Sequence, residues 1–289
     1  MPRGLAKETV DLIAAAHAIL KEQHPQGVRA TCYQLFNKKL LPDMSRPSTN
    51  KISRILTDAR TRGDIPWSWI SDEKREFETV GMWDGVADFL ETVRDAYRRD
   101  RWKAQPYRVV VVSEKERGGT LRPVTRQYGI PFVVYSGFTS TTAAKILADE
   151  SVKDDRPFIV LYVGDLDPSG CYMSDRDLPA RLKRYGGRAM IERVAISPWQ
   201  IAGYGLHPNT FPATDKKTDT RYPWFVKTYG NVCVELDALP ANDLRALVED
   251  AILDHLDIDA WEQDGSVEEN DVAWIDEFIN ASQAMRAGL

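Results

Sequence analysis

Apolar residues in the first part of this chain recur at helical spacing. Val10, Ile13, Ala16 and Leu20 share one face of the segment Lys7 to Lys21, which predicts a helix. Thr31 to Leu40 reads as a second, short helix stopped near Pro42. A third begins after Pro47 with Ser48 as its expected cap. It runs to Arg62 with Ile52, Ile55, Leu56 and Ala59 inward, and Gly63 ends it. The pattern then becomes the alternation Ile65-Pro-Trp-Ser-Trp-Ile70, which predicts a strand.

From Ser71 to Gln105 the chain is charged and helical. Trp83, Val86, Phe89, Leu90, Val93 and Tyr97 stand at helical spacing and are expected in a core. Beyond this junction strands and helices alternate. Tyr107 to Ser113 is a continuous β-branched run, the mark of a strand buried on both faces. Further strands are expected at Pro131 to Ser136, Pro157 to Gly164, Ala189 to Ile196 and Val232 to Leu236. Helices are expected at Leu121 to Tyr128, Thr139 to Ala148, Asp177 to Tyr185, Leu244 to Leu256 and Val272 to Met285. Such alternation predicts an α/β fold with a mostly parallel, Rossmann-like sheet and helices on both faces. Three segments result: 1–75, a linker over 76–105, and an α/β domain with C-terminal helices over 106–289.

A chain of 289 residues is long enough for two domains or one large one. With 43% hydrophobic and 28% charged residues it is not of disordered composition. It has no apolar run that would span a membrane and no signal-peptide pattern. Cys32, Cys171 and Cys233 are far apart, so neither a zinc site nor a disulfide framework is expected, and a reducing cytoplasm is the default.

The net charge of −5 argues weakly against nucleic acid, but its distribution argues the other way. Between Gln26 and Arg62 eight basic residues face only Asp43 and Asp58, a local excess of six positive charges. A basic patch on an acidic protein is the footprint of a phosphate-binding face, although a solvated helical surface looks the same. Three helices followed by an apolar alternation is the order of a winged helix-turn-helix, and also of some small helical bundles. In a winged helix the third helix would carry Lys51, Arg54, Arg60 and Arg62 toward double-stranded DNA.

In an open α/β sheet, active residues gather at the carboxyl ends of the strands. Glu114 directly follows the first strand, and Asp165 and Asp167 follow the third in the phrase GDLDPSG. Carboxylates crowded there repel, by about 4 kcal/mol for two charges 4 Å apart at an effective dielectric of 20. A structural role would supply a nearby lysine or arginine; a divalent cation resolves the repulsion more completely. Oxygen ligands without cysteine point to Mg²⁺ or Mn²⁺. The bland alternative is an acidic turn that caps the next helix. No glycine-rich nucleotide fingerprint follows a strand, so ATP use by this chain is not expected. Glu116 is read as a solvated acid, with a place in the metal site as its alternative, Glu235 and Asp237 as candidate support for the acids, and Lys216, Lys217 and Arg221 as a solvated basic loop, with a DNA-contacting loop as its alternative. His207 is read as a turn residue, and Trp67 and Trp69 as packing groups.

The phrases VVVVSEK and DLDPSG together resemble the Toprim domain of topoisomerases, DnaG-type primases and related nucleases. The form DxDPxG resembles the A subunit of type IIB topoisomerases (topoisomerase VI) and its relative, the meiotic double-strand-break transesterase. VCVELDALP is similar to a strand and turn near the end of that family's Toprim domain, and Arg29-Ala-Thr-Cys-Tyr33 to its R-x-x-x-Y segment. The resemblance implies a winged helix followed by Toprim in a compact, stand-alone or phage-type member without the ATPase partner. It implies that Glu114, Asp165 and Asp167 bind Mg²⁺, that Tyr33 is the DNA-cleaving nucleophile, and that Arg29 contacts phosphate or phenolate. A phosphotyrosyl link to DNA and a homodimer are implied with it. Two alternatives stay open. One is a hydrolytic nuclease like the Toprim subunit of Wadjet-type plasmid defence; the other is a non-catalytic DNA-binding module that docks an unidentified partner subunit.

Overall fold

The computed structural model describes residues 6–71, 80–114, 118–135 and 141–287. The chain forms two compact units, one of residues 1–74 with 109–254 and one of residues 75–108 with 255–289. This differs from the three-segment division expected. The N-terminal helices join the sheet in one unit, while the last helix belongs with the 75–108 segment.

The first unit opens with α1 (Lys7–Gln23), α2 (Val28–Asn37) and α3 (Arg46–Arg62). Leu12, Ile13, Ala16, Ile19 and Leu20 of α1 form one buried stripe, joined by Cys32 and Leu35 of α2 and by Ile52, Leu56 and Ala59 of α3. Each fully buried Leu or Ile here is worth about 1.5–3 kcal/mol over an exposed one. α3 starts three residues earlier than its sequence suggests, with Ser45 rather than Ser48 at the N-cap. The cause is Pro47, whose fixed φ and missing amide hydrogen suit the first turn of a helix. Gly63 closes α3 at φ 84°, a left-handed conformation that favours glycine.

The expected strand at Ile65–Ile70 is instead a 3₁₀ turn over Trp67–Trp69. Pro66 has no amide hydrogen for a ladder, and only Ile70 pairs, through one parallel bridge to Gln26. Trp69 packs on the helical core and stacks on His24 with ring centroids 5.0 Å apart. Trp67, read as packing, is 61% exposed and lies under Arg60.

After α4 (Val86–Ala96), which belongs to the second unit, come β1 (Arg108–Ser113), α5 (Gly118–Gln127), β2 (Phe132–Val134), α6 (Thr141–Glu150) and β3 (Phe158–Val163). Next are α7 (Pro168–Tyr172), a π-helical turn over Met173–Asp177, α8 (Leu178–Arg184) and β4 (Ala189–Ala195). The four strands form a parallel sheet in the order β2-β1-β3-β4, so the α/β class is as expected. All six residues of β3 are buried. Val110, Val112, Phe158, Val160 and Tyr162 share one core with Ala144 and Leu147 of α6 and Leu178 and Leu182 of α8. α9 (Pro198–Gly203), β5 (Thr210–Pro212), α10 (Tyr222–Tyr229), β6 (Val232–Val234) and α11 (Ala241–Leu253) complete the unit, with α11 lying on β3, β4 and α5. The expected fifth sheet strand, β6, is not in the parallel sheet. It pairs antiparallel with β5 and touches the loop after β3 through a bridge between Leu166 and Val234.

In the second unit α4 packs on α12 (Ile258–Ala287). Polar contacts lace the segment around α4 to α12: Arg94 with Asp276 at 3.2 Å, the Tyr97 hydroxyl with Asp271 at 2.6 Å and Arg99 with Asp264 at 2.6 Å. The core role expected for the aromatics of this segment is not met, because one helix partner covers only part of an amphipathic helix. Trp83, Val86, Phe89 and Val93 remain exposed, while Leu90 and Tyr97 are half-buried. No helix among the described residues is long and apolar enough to cross a membrane.

Candidate active site at the sheet edge

β1 and β3 are parallel neighbours, so the residues that follow them emerge at one edge of the sheet. The Glu114 amide still donates to Val163 O at 2.9 Å, and its carboxylate then accepts from the Asp165 amide at 3.2 Å. Two glycines make this approach possible. A Cβ on Gly164 would stand 2.8 Å from Glu114 Oε2, and one on Gly170 only 2.7 Å from it. The DLDPSG phrase thus folds around the glutamate.

Asp165 and Asp167 are 5% and 3% exposed, so both carboxylates need partners. Asp165 Oδ1 accepts from the Leu236 amide at 2.8 Å. Asp167 Oδ1 accepts from the Gly170 amide at 2.7 Å and caps α7, whose first residue is Pro168. Its other oxygen is ion-paired with Lys216. Burial disfavours the Lys216 charge, but Asp167 and then Asp165 outweigh it and hold the ammonium above its ordinary pKa. Asp167 is therefore both a helix cap and an acid of the cleft. The expected basic loop is not simply solvated, because one of its lysines reaches the acids.

Arg193, a lone arginine inside β4, locks the loop from the side. Its guanidinium donates to the carbonyls of Ile196 at 2.9 Å and of Gly164 and Gly170 at 3.2 Å, to Ser174 Oγ at 2.8 Å, and to the Asp165 carbonyl. It lies 5.6 Å from the centre of the Tyr162 ring. The Tyr162 hydroxyl is buried and has no hydrogen-bond partner among the described residues. Burial and then Glu114 push its pKa well above that of a free phenol.

Tyr33 and Arg29 lie on α2, which packs against the 3₁₀ turn Leu236–Ala238 behind Asp165. Arg29 ion-pairs with Glu235 at 2.5 Å, is 3.8 Å from Asp237 and lies 5.7 Å from the centre of the Tyr33 ring. Burial opposes its charge, yet the Glu235 pair leaves its pKa raised overall. Tyr33 is 5% exposed; burial first, and then Glu235, hold it as a neutral phenol. Glu235 and Asp237 thus serve Arg29, and it is the backbone of Leu236 between them that supports Asp165. Cys32 is a core residue whose thiol burial pushes up to about 11.

On α3, Lys51 and Arg54 face solvent, and Lys51 is ion-paired with Glu8 at 2.7 Å. Arg60 is half-buried, 4.8 Å from the centre of the Trp67 ring. The expected DNA contacts are therefore two exposed cations, one stacked one, and Arg62, which is ion-paired with Asp64 at 2.8 Å. His207 begins a 3₁₀ turn as expected. Glu116 lies outside the described residues.

The all-oxygen donor set of Glu114, Asp165 and Asp167 has the chemistry of a hard divalent-cation site. The Lys216 ammonium neutralises one of these carboxylates, as a structural role for Asp167 would require. Among the described residues, however, no group of three His, Cys, Asp or Glu side chains is gathered closely enough to hold an ion. Sequence reasoning placed Lys216 in a solvated loop rather than on the acids, and missed Arg193. The unbalanced acid cluster could have signalled the first; Arg193 follows Glu192 in a half-exposed strand, and nothing in its local sequence signalled the second. No model of a known protein family matches this chain, and no curated protein matches it.

Proposed function

We propose that this protein cleaves DNA phosphodiesters at the acidic cleft, with Glu114, Asp165 and Asp167 holding Mg²⁺ or Mn²⁺. The observation that carries the reading is the placement of buried Asp165 and Asp167 after β3, with Glu114 folded against them from the neighbouring strand. Such a cation would stabilise charge on the scissile phosphate and orient it for in-line attack. Arg193 and the Leu236 amide fix the backbone of the loop that bears the aspartates, while the three carboxylates must still turn toward one another to share an ion. The three N-terminal helices act as a DNA-binding element that presents Lys51 and Arg54 of α3, with the turn at Trp67–Trp69 standing where a winged helix would have its wing. Cutting both strands takes two sites of opposite polarity, which a two-fold homodimer supplies; light scattering with DNA present tests this.

Tyr33 is the nucleophile that the resemblance implies. Its oxygen would bond to phosphorus as the phosphorus–deoxyribose oxygen bond breaks. The phenol proton leaves to solvent and the released DNA end takes one up. A specific observation favours the second reading, hydrolysis by water: Tyr33 is buried and held neutral beside Glu235, which opposes phenolate formation.

Plasmid incubation with Mg²⁺ or Mn²⁺, quenched in denaturant with and without protease, separates these readings. Hydrolysis predicts that Tyr33→Phe cuts at near the wild-type rate without a covalent adduct, while Asp165→Asn does not cut. Transesterification predicts protein-linked ends that Tyr33→Phe abolishes. No cutting with any divalent metal would return the protein to a DNA-binding module.

A further inference from the structure

We propose that Lys216 is an exchangeable counter-ion, held on Asp167 in the metal-free protein and released to a DNA phosphate when a divalent cation takes that carboxylate. The inference rests on the acidic cleft being a cation site, and it adds a coupling between metal and nucleic acid that the acids alone do not supply.

Lys216 ends a 3₁₀ turn, Ala213–Lys216, that follows β5. The sheet does not contain this turn, so Lys216 is not fixed by strand pairing. Its ammonium meets Asp167 Oδ2, the carboxylate oxygen not used to cap α7, and lies 5.4 Å from the centre of the Phe211 ring. Asp167 is 5% exposed at its side chain and Lys216 is 35% exposed, so the pair has one buried end and one end open to solvent. A divalent cation and an ammonium cannot share the same carboxylate oxygen without strong repulsion. The four-carbon stem of lysine lets the ammonium leave while its backbone stays in place.

The open end leads to a suitable receiver. A cavity of about 450 Å³ is lined by Lys216, Arg221, the hydroxyl residues Thr218 and Thr220, and Asp215 and Asp219. Of the two acids, Asp219 already pairs with Arg221 at 3.1 Å, and Asp215 is exposed to solvent. A phosphodiester in this cavity would meet the Lys216 ammonium, two hydroxyl residues and a guanidinium that Asp219 already shares. While Lys216 is bound to Asp167 its charge is spent on the protein; once released, it adds to this set. Linkage then requires that metal tighten DNA binding and that DNA tighten metal binding by the same factor.

The test uses the full chain and compares wild type, Lys216→Gln, Lys216→Arg and Asp165→Asn. Mn²⁺ binding is followed by calorimetry, and duplex DNA binding is measured in EDTA and in Ca²⁺. Without its competing cation, Lys216→Gln should bind Mn²⁺ about tenfold more tightly than wild type, while Lys216→Arg stays near wild type. Ca²⁺ should tighten DNA binding several-fold in wild type and much less in Lys216→Gln, with the two proteins similar in EDTA. Unchanged or weaker Mn²⁺ binding by Lys216→Gln, with wild-type binding intact and lost in Asp165→Asn, would overturn the exchange and leave the cation site standing. If neither wild type nor Lys216→Gln binds Mn²⁺, the cation site itself falls and the exchange with it. Lys216→Arg keeps the charge and serves as the folded control if Lys216→Gln does not fold.

Discussion

Arg29 of α2 and Glu235 at the end of β6, 206 residues apart in the chain, meet in an ion pair with 2.5 Å between Nη2 and Oε2. The pair ties the helix that bears Tyr33 to the turn whose Leu236 amide supports Asp165. The candidate nucleophile and the acidic cleft are thereby joined within a single chain.

The ionisation of Tyr33 should follow the two charges beside it in opposite directions. Glu235 raises its pKa and Arg29 lowers it. Glu235→Gln should bring the phenol back toward its ordinary value of 10.0, and Arg29→Ala should drive it further up. Spectrophotometric titration against a Tyr33→Phe background reads both shifts. The two variants should change stability by only about 1 kcal/mol or less, because the Arg29 side chain is 44% exposed.

Alkaline pH should destabilise the fold through its buried phenols. Tyr33, Tyr135, Tyr162 and Tyr229 all have raised pKa values, with burial the largest cause in each. The unfolded chain loses these protons near 10 while the folded chain retains them. Their stabilising contribution is therefore complete below about pH 10 and declines as pH rises toward the folded values. Thermal melts from pH 8 to 11 should show this loss, and Tyr33→Phe should reduce it. A melting temperature flat across that range would contradict the burial of these hydroxyls.

Gly170→Ala should damage the cleft more than an ordinary glycine substitution. The added carbon would stand 2.5 Å from the Asp165 carbonyl and 2.7 Å from Glu114 Oε2. Overpacking of this kind costs about 1–3 kcal/mol and would push Glu114 away from the Asp165 amide. A lowered melting temperature together with weakened Mn²⁺ binding is expected. Gly203→Ala, where a Cβ meets nothing within 4 Å, is the matched control.

The basic face of α3 should divide by exposure. Lys51→Ala and Arg54→Ala should each lower DNA affinity across sequences and flatten its log–log salt dependence by roughly 0.9 per lost phosphate contact. Arg60→Ala should flatten it less, since that guanidinium is half-buried over Trp67. Equal slopes for all three variants would place Arg60 on the DNA as well.

Much of the fold was legible because local pattern and local geometry agree. Ile52, Leu56 and Ala59 recur on one face of α3, and all three are buried. The β-branched run ending at Ser113 is a strand buried along nearly its whole length. Legibility failed where a segment had no periodic partner to fix it. The alternation around Trp67 and Trp69 looked like a strand, but Pro66 and the lack of a ladder made it a turn. The aromatics of α4 looked like core, but amphipathicity does not say how much of a face will be covered.

For the candidate site, the sequence by itself determined which acids stand at strand ends. A β-branched run must become a strand, and the residue after it must emerge at the sheet edge; this placed Glu114, Asp165 and Asp167. Only the tertiary structure decided what neutralises and holds them. Lys216 reaches Asp167 from 49 residues away, Arg193 grips the Asp165 loop from β4, and the Leu236 amide reaches Asp165 from 71 residues away. Charge balance in a buried cleft is settled by whichever side chains and amides the folded chain brings within hydrogen-bonding distance. Spacing along the sequence carries no record of that choice.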